Sequence, residues 1–95
     1  MPMFNPAHPG AILREYMGDT LTVTALAKHL GMPRENLSRI LNGRLGISAA
    51  VAVKLSEAFP NANPQFWLNL QNNYDLAQVL KKKRSRIAPV LSKAA

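Results

Sequence analysis

The amino-acid sequence predicts an all-α protein, a compact bundle of five helices. Apolar residues recur every three or four positions along most of the chain, the spacing that places them on one face of a helix. Nowhere do β-branched or aromatic residues alternate with polar ones at the two-residue period of a strand. Proline, glycine and capping residues also divide the chain into five segments, each of helical length.

Start and stop signals bound the first two helices. The first begins at Pro9 and Gly10 and ends at Gly18. Thr22 has the side chain of an N-cap for the second helix, which ends at Gly31. The predicted inward faces are Ile12, Leu13, Tyr16 and Met17 in the first helix, and Val23, Leu26, Ala27 and Leu30 in the second.

The other three helices are bounded in the same way. Pro33 suits the first turn of the third helix, which ends at Gly43, and Ser48 is the expected N-cap of the fourth. Asn63 caps a fifth and longest helix, about residues 64–83, followed by a basic tail, about residues 81–95. The inward faces are Leu37, Ile40 and Leu41 in the third helix, and Val51, Leu55, Ala58 and Phe59 in the fourth.

Length and composition limit the class of protein. A chain of 95 residues, 47% of them hydrophobic, is expected to form one domain, residues 1–95, around one core. It has no cysteine, which excludes disulfides and thiolate metal sites. The opening MPMFNPAHPG lacks the basic and apolar segments of a signal peptide, and no apolar run could span a membrane, so a cytoplasmic protein is expected.

The net charge of +7 is distributed unevenly along the chain. From Lys81 onward there are six basic residues and no acid, whereas the first eighty residues carry six basic and five acidic residues, a net charge of +1. A terminal charge run is usually solvated and only sometimes contacts phosphates. The total charge alone is therefore weak support for a nucleic-acid partner.

The second and third helices are separated by a turn as short as Gly31-Met32, which is typical of a helix-turn-helix, here about residues 22–43. In that motif the second helix enters the major groove of DNA. The outward face of the third helix carries side chains that match base edges: Arg34, Glu35, Asn36, Ser38 and Arg39. Lys28 and Arg44 are placed for phosphates. The alternative is an ordinary helical hairpin with a solvated polar face.

The segment TLTVTALAKHLGMPRENLSRILNGR resembles the XRE/Cro-type helix-turn-helix of phage-repressor-like regulators. Its flanks, HPGAILREYM and NPQFWLNLQNNYDL, are similar to the HigA family of antitoxins, also called VapI-type, and the resemblance covers roughly residues 8–80. The resemblance implies a lambda-repressor-like fold and a homodimer that represses its own operon by binding operator DNA at the nucleoid. It also implies a partner, a ribonuclease toxin of the HigB type, which the antitoxin neutralises.

Two positions depart from the family pattern. Many such repressors begin the second helix with a glutamine that touches the DNA backbone, where this chain has Val23. That contact is then expected from Thr22, Thr24 or backbone N–H groups. Pro33 replaces a small polar residue that is usual at the start of the third helix. Two alternatives stay open: a toxin-binding module without DNA readout, and a solitary helix-turn-helix regulator without a toxin.

The fifth helix has apolar residues on two faces. Phe66, Trp67, Leu70, Tyr74 and Ala77 form the face expected to anchor it to the bundle. Leu68, Leu76 and Val79 are expected on the far side, as a dimer interface. The alternatives are that they are scattered exposed leucines, which are common, or that the tail folds back over them.

No catalytic or metal site is expected. His8 and His29 lie on separate segments without metal-ligand spacing; His8 is expected to help start the first helix, and His29 to be exposed. The acids are scattered singly at Glu15, Asp19, Glu35, Glu57 and Asp75, without a partner for acid–base catalysis. A protein that is not an enzyme and needs no cofactor is predicted.

Overall fold

The computed structural model describes residues 5–91, which form five α-helices and no strand. The helices are α1 (Pro9–Met17), α2 (Val23–Leu30), α3 (Arg34–Leu41), α4 (Ala49–Ala58) and α5 (Pro64–Lys81). The predicted all-α bundle and its element order are confirmed. The fifth helix ends at Lys81, two residues before the predicted boundary.

Four of the five helices begin with a side-chain cap, and in three of them the cap is a threonine, serine or asparagine. The side-chain oxygens of Thr22, Ser48 and Asn63 accept hydrogen bonds from the N–H three residues later, at 3.1, 3.2 and 2.8 Å. The start of α3 differs from the prediction, because Pro33 is the N-cap and provides no capping bond. Helix α3 therefore begins without side-chain capping of its own, and its first residue, Arg34, is exposed.

The core lies between all five helices. Its fully enclosed side chains come from each of them and include Leu13, Leu26, Leu37, Leu55 and Trp67. Around the indole of Trp67, Tyr16 and Phe66 each place a ring centroid 5.2 Å away in edge-to-face geometry. The indole Nε1–H has no hydrogen-bond acceptor among the described residues, so packing alone anchors α5 here.

The packing order leaves one side of α3 uncovered. Helix α3 rests on α1 and α2, whereas α5 packs against α4 and α1, and α2 also contacts α4. The two helices of the predicted helix-turn-helix motif are therefore braced from behind. The outer surface of α3 has no helix across it among the described residues.

The approach of α1 to the end of α3 is close enough to require glycine. A methyl group on Gly10 would collide with the carbonyl oxygen of Ile40 and lie 3.0 Å from the Cα of Leu41. Both neighbours are backbone atoms of α3, which cannot turn aside as a side chain can. The packing of α1 against α3 thus depends on the absence of a side chain at Gly10.

The described chain after α5 has no regular secondary structure. Residues 82–91 have no helix and are all exposed, including Ile87 and Val90 at 83% and 99%. The described part of the tail, residues 82–91, therefore does not fold back over the apolar residues of α5. None of the described helices is both long and apolar enough to cross a membrane.

Replacing Gly10 with alanine is expected to destabilise the protein by roughly 3 kcal/mol, near the upper end of the usual cost of overpacking. The cause is the collision with the α3 backbone. Gly31→Ala is the matched control, because no atom lies within 4 Å of the added methyl and only the left-handed backbone, with a φ of +69°, is strained. That control is expected to cost about 1 kcal/mol. Denaturant titration of the free energy of unfolding measures both, and equal effects would contradict the steric explanation.

Candidate nucleic-acid interface

The turn between α2 and α3 has the predicted form. Gly31 has a φ of +69°, in the left-handed region that glycine adopts without a steric penalty. Its N–H donates to the carbonyl of Lys28, and the N–H of Met32 donates to that of Ala27 at 3.0 Å. These bonds satisfy the last carbonyls of α2 and turn the chain directly into α3.

The outer surface of α3 is polar. Leu37, Ile40 and Leu41 are buried as predicted, at 0, 0 and 5% exposure. The exposed side chains are Arg34, Glu35, Asn36 and Arg39. Ser38 differs from these four, because it is half-buried and its hydroxyl lies 3.5 Å from the side-chain nitrogen of Asn42. Within residues 5–91, no side-chain hydrogen bond engages Glu35, Asn36 or Arg39.

Two threonines at the start of α2 have distinct roles. Thr22 is the N-cap, and its hydroxyl is occupied by the N–H of Ala25. Thr24, in the first turn of the helix, accepts a hydrogen bond from Nε of Arg34 at 2.9 Å. The N-terminal ends of the two helices are therefore joined by a side-chain bond at the exposed surface.

The C-terminal end of α3 is tied to α1 by Arg14. Its Nε donates to the carbonyl of Leu41 at 3.4 Å, and Nη2 donates to the side-chain oxygen of Asn42 at 3.0 Å. A cation at this position also interacts favourably with the negative end of the helix dipole. Helix α3 is therefore held by side chains at both ends.

The connection from α3 to α4 is held by a buried glutamine of α5. Oε1 of Gln71 accepts a hydrogen bond from the N–H of Ile47 at 2.7 Å, and its Nε2 donates to Asp75 at 2.9 Å. Gly46 lies so close to this amide that an added methyl would be 3.1–3.2 Å from it. Arg44 projects from this fixed connection and is exposed.

Lys28 is exposed in the last turn of α2, four residues after Thr24. Residues four apart in a helix lie on the same face, so Lys28 extends the exposed edge that begins with Thr24. The structure thus places Thr22, Thr24 and Lys28 along α2 beside the outer surface of α3, and Arg44 beyond its C-terminal end.

The two histidines have the predicted positions. Nδ1 of His8 accepts a hydrogen bond from the N–H of Gly10 at 2.9 Å and so caps α1, and its ring packs edge-on against Tyr74. Burial lowers the pKa of His8 below its usual value of 6.5, with the charge of Asp75 acting in the opposite direction. The neutral ring is the form that can accept this bond. His29 is exposed on α2.

No cluster of three or more His, Cys, Asp or Glu side chains that could hold a metal ion occurs in the described part of the chain. The acids are distributed over separate elements. The candidate interface therefore offers hydrogen-bond donors, acceptors and positive charge as its functional groups.

On α5, the predicted second apolar face is only partly present. Leu76 and Val79 are 55% and 51% exposed, and Leu80 beside them is 65% exposed. The prediction that Leu68 lies with them on the far side is wrong, because Leu68 is half-buried and packs against the core. It directly follows the enclosed Trp67 and lies about 100° from it around the helix, at the edge of the packed surface.

Sequence reasoning missed four residues that position the interface. They are Gly10, Arg14, Asn42 and Gln71. A glycine in a first turn, an arginine on a polar face and a glutamine in a long helix carry no local signal of a distant partner. In the sequence, Asn42 stands out only as the first residue of the Asn-Gly pair near the end of TLTVTALAKHLGMPRENLSRILNGR.

Comparisons with known proteins agree with this geometry. A family model described as a helix-turn-helix domain matches residues 10–59. Virulence-associated protein A′ of Dichelobacter nodosus is 50% identical over 78 residues, covering 81% of this chain and 68% of that protein. Antitoxin HigA-1 of Vibrio cholerae is 40% identical over 75 residues, covering 75% of this chain and 68% of the relative.

Solved structures agree as well. An antidote protein of the HigA family from Coxiella burnetii has a TM-score of 0.77 and 44% identity, covering 81% of this chain and 85% of that one. The antitoxin HigA of Pseudomonas aeruginosa, solved with the higBA promoter, has a TM-score of 0.79 and 35% identity, covering 92% of this chain and 100% of that one.

Replacing Gln71 with leucine is expected to cost about 1–3 kcal/mol, the usual penalty for leaving a buried backbone N–H, here that of Ile47, without an acceptor. Gln78→Leu on the same helix is the control, because the side chain of the half-buried Gln78 makes no hydrogen bond to any residue in the described range. Denaturant unfolding gives the free-energy change, and amide hydrogen exchange at Ile47 should accelerate. Unchanged exchange there would contradict the role assigned to the glutamine.

Proposed function

The chain belongs to the helix-turn-helix family and, within it, to the HigA antitoxins, and from that premise we propose that it is the DNA-binding antitoxin of a type II toxin–antitoxin module. In this role a homodimer binds the operator of its own operon, represses transcription and neutralises a ribonuclease toxin. The observation that carries the proposal is the polar outer surface of α3, exposed on a helix that is fixed at both ends.

Base reading is assigned to α3 in the major groove. Arginine presents two donors that fit the O6 and N7 of guanine, asparagine matches adenine, and glutamate accepts from the amino group of cytosine. Arg34, Arg39, Asn36 and Glu35 supply these groups on one exposed surface. Ser38 contributes from the margin, since its side chain is half-buried.

Phosphate contacts are assigned to the edges of this surface. Lys28 and Arg44 are exposed cations on either side of α3, and Thr22 and Thr24 lie at the positive end of the α2 dipole. Such contacts set the orientation of the protein on the duplex without selecting sequence. These groups would make the contact with the DNA backbone that a glutamine usually makes at the position of Val23.

The homodimer is supported by the symmetry that the DNA imposes. Helix-turn-helix proteins read paired half-sites, which requires two α3 helices related by a two-fold axis. The surface assigned to the dimer contains Leu76 and Val79, both about half exposed and not covered by the described residues of the tail. Burying apolar side chains between copies would supply the driving force for association.

The antitoxin is proposed to act by binding rather than by catalysis, in the cytoplasm and at the nucleoid when DNA-bound. The toxin partner is inferred from the family, in which HigB-type ribonucleases are neutralised by their antitoxins. A short basic reading frame beside this gene would support that partner. Its absence would favour the solitary regulator.

Replacing Arg34 and Arg39 together with alanine is expected to abolish preference for the DNA upstream of the gene, at a cost of about 1–3 kcal/mol for each lost bidentate base contact. Lys82→Ala/Lys83→Ala is the matched control, since it removes the same charge from the exposed tail. The control should weaken specific and scrambled DNA alike and flatten the salt dependence of binding. Fluorescence anisotropy titrations at several salt concentrations measure both effects.

If the double arginine variant binds its operator normally, the reading surface is wrongly assigned. If the wild-type protein prefers no operator yet binds its toxin, the chain is the toxin-binding module without DNA readout.

Replacing Leu76 and Val79 with glutamate is expected to convert the dimer to a monomer, because like charges would be placed within an apolar interface. Sedimentation velocity measures the oligomeric state. Val53→Glu is the control, since Val53 is an exposed apolar residue of α4, at 46%. If the variant with glutamate at both Leu76 and Val79 remains dimeric, the dimer interface lies elsewhere on the molecule.

A further inference from the structure

We infer that Thr24 is a positioning residue that acts on DNA through Arg34, by fixing the arginine in one orientation before the DNA arrives. The inference rests on the proposed function and deepens it. It assigns Thr24 a role beyond that of one more hydroxyl near a phosphate. It also restricts the geometry in which Arg34 can bind.

The two residues meet where both helices of the motif begin. Thr24 lies in the first turn of α2, and Arg34 is the first residue of α3. Nε of Arg34 donates to the hydroxyl oxygen of Thr24 at 2.9 Å, and both residues are exposed. The arginine side chain therefore lies across the gap between the helix ends instead of extending into solvent.

The bond selects which edge of the guanidinium is available. Arginine has five N–H donors in a planar fork, and it can engage two acceptors either with Nε and one Nη or with both Nη atoms. Because Nε is occupied by Thr24, only the end-on pair of Nη1 and Nη2 remains for a ligand. Its target is a pair of acceptors spaced as in guanine O6 and N7, or as in two phosphate oxygens.

Holding the side chain in advance also reduces the cost of binding. A free arginine loses substantial rotamer freedom when it is immobilised on a ligand. Thr24 imposes that loss during folding, so that less remains when DNA is bound. Removing the hydroxyl should therefore weaken the contact made by Arg34 without removing any charge.

The test is a double-mutant cycle with Thr24→Val, Arg34→Ala and the combined variant, titrated against the DNA upstream of the gene. Valine keeps the β-branched shape and removes the hydroxyl. Thr24→Val is expected to weaken binding about tenfold in the wild-type background and by clearly less when Arg34 is already alanine, because only the phosphate contact of the hydroxyl is then lost. Thr24→Ser keeps the acceptor and should restore most of the affinity.

A second series separates the two possible targets. Replacing each operator guanine in turn with 7-deazaguanine removes the N7 acceptor. If Arg34 reads a guanine, one such substitution weakens the wild type but not Arg34→Ala. If Arg34 binds a phosphate, no guanine shows this behaviour and Arg34→Ala lowers the salt slope by about one. Either result supports the positioning role, provided that the effect of Thr24→Val on binding is smaller when Arg34 is alanine.

A measurement without DNA tests the hydrogen bond itself. The Nε–H signal of Arg34 should be visible by NMR with slowed solvent exchange in the wild type and in Thr24→Ser, and it should exchange rapidly in Thr24→Val. Thermal unfolding of Thr24→Val should match that of the wild type, because the site is exposed.

Equal penalties for Thr24→Val with and without Arg34 would overturn the inference, since Thr24 would then contact DNA on its own. Rapid exchange of the Nε–H in the wild type would overturn it as well. Both of those results leave the proposed function intact. A wild-type protein with no preference for its upstream DNA would instead overturn the proposed function, and the inference with it.

Discussion

The contact between Gly10 and the backbone of Ile40 determines where α3 sits. At this point α1 and α3 approach so closely that even a methyl group would not fit, and the obstacle is main chain. One turn further along α1, Arg14 reaches the last carbonyl of α3 and the side chain of Asn42. The close approach that the glycine permits brings α1 and the end of α3 together where Arg14 makes both bonds. Backbone packing and polar anchoring of α3 are therefore parts of a single arrangement.

The other attachments of α3 depend on this placement. With its C-terminal end fixed against α1, the N-terminal end lies beside α2, where Arg34 meets Thr24. By accepting a hydrogen bond from the N–H of Ile47, Gln71 then fixes the segment that follows α3. These bonds hold the elements that carry the exposed side chains rather than the side chains of Glu35, Asn36 and Arg39 themselves. A rigid support with uncommitted side chains is the arrangement that recognition requires.

Local chemistry made the helices predictable, and distant contacts account for what was missed. Thr22, Ser48 and Asn63 cap the next residues of their own helices, so their roles follow from neighbouring sequence. The outward face of α3 follows from helical periodicity for the same reason. Gln71 and Ile47 are 24 residues apart, and Arg14 and Asn42 are 28 apart. Such pairs exist only once the fold has formed. Leu68 shows the corresponding limit, because a helical wheel cannot tell how far a neighbouring helix extends around it.

Most of the excess positive charge and the side chains proposed to read bases lie in different parts of the chain. This separation limits how the protein can distinguish one DNA sequence from another. The first eighty residues are nearly neutral, so the charge available for long-range attraction to DNA lies mainly from Lys81 onward, where the described residues 81–91 are exposed. Attraction of that kind acts on any sequence and weakens with salt. Discrimination between DNA sequences must then come from a few short-range contacts. Arg34 and Arg39 are the two cations on the surface of α3 that can make them. With so few contacts available, the orientation of each one matters more than it would on a strongly basic surface. A threonine that fixes one arginine can therefore affect specificity out of proportion to the single hydrogen bond that it accepts.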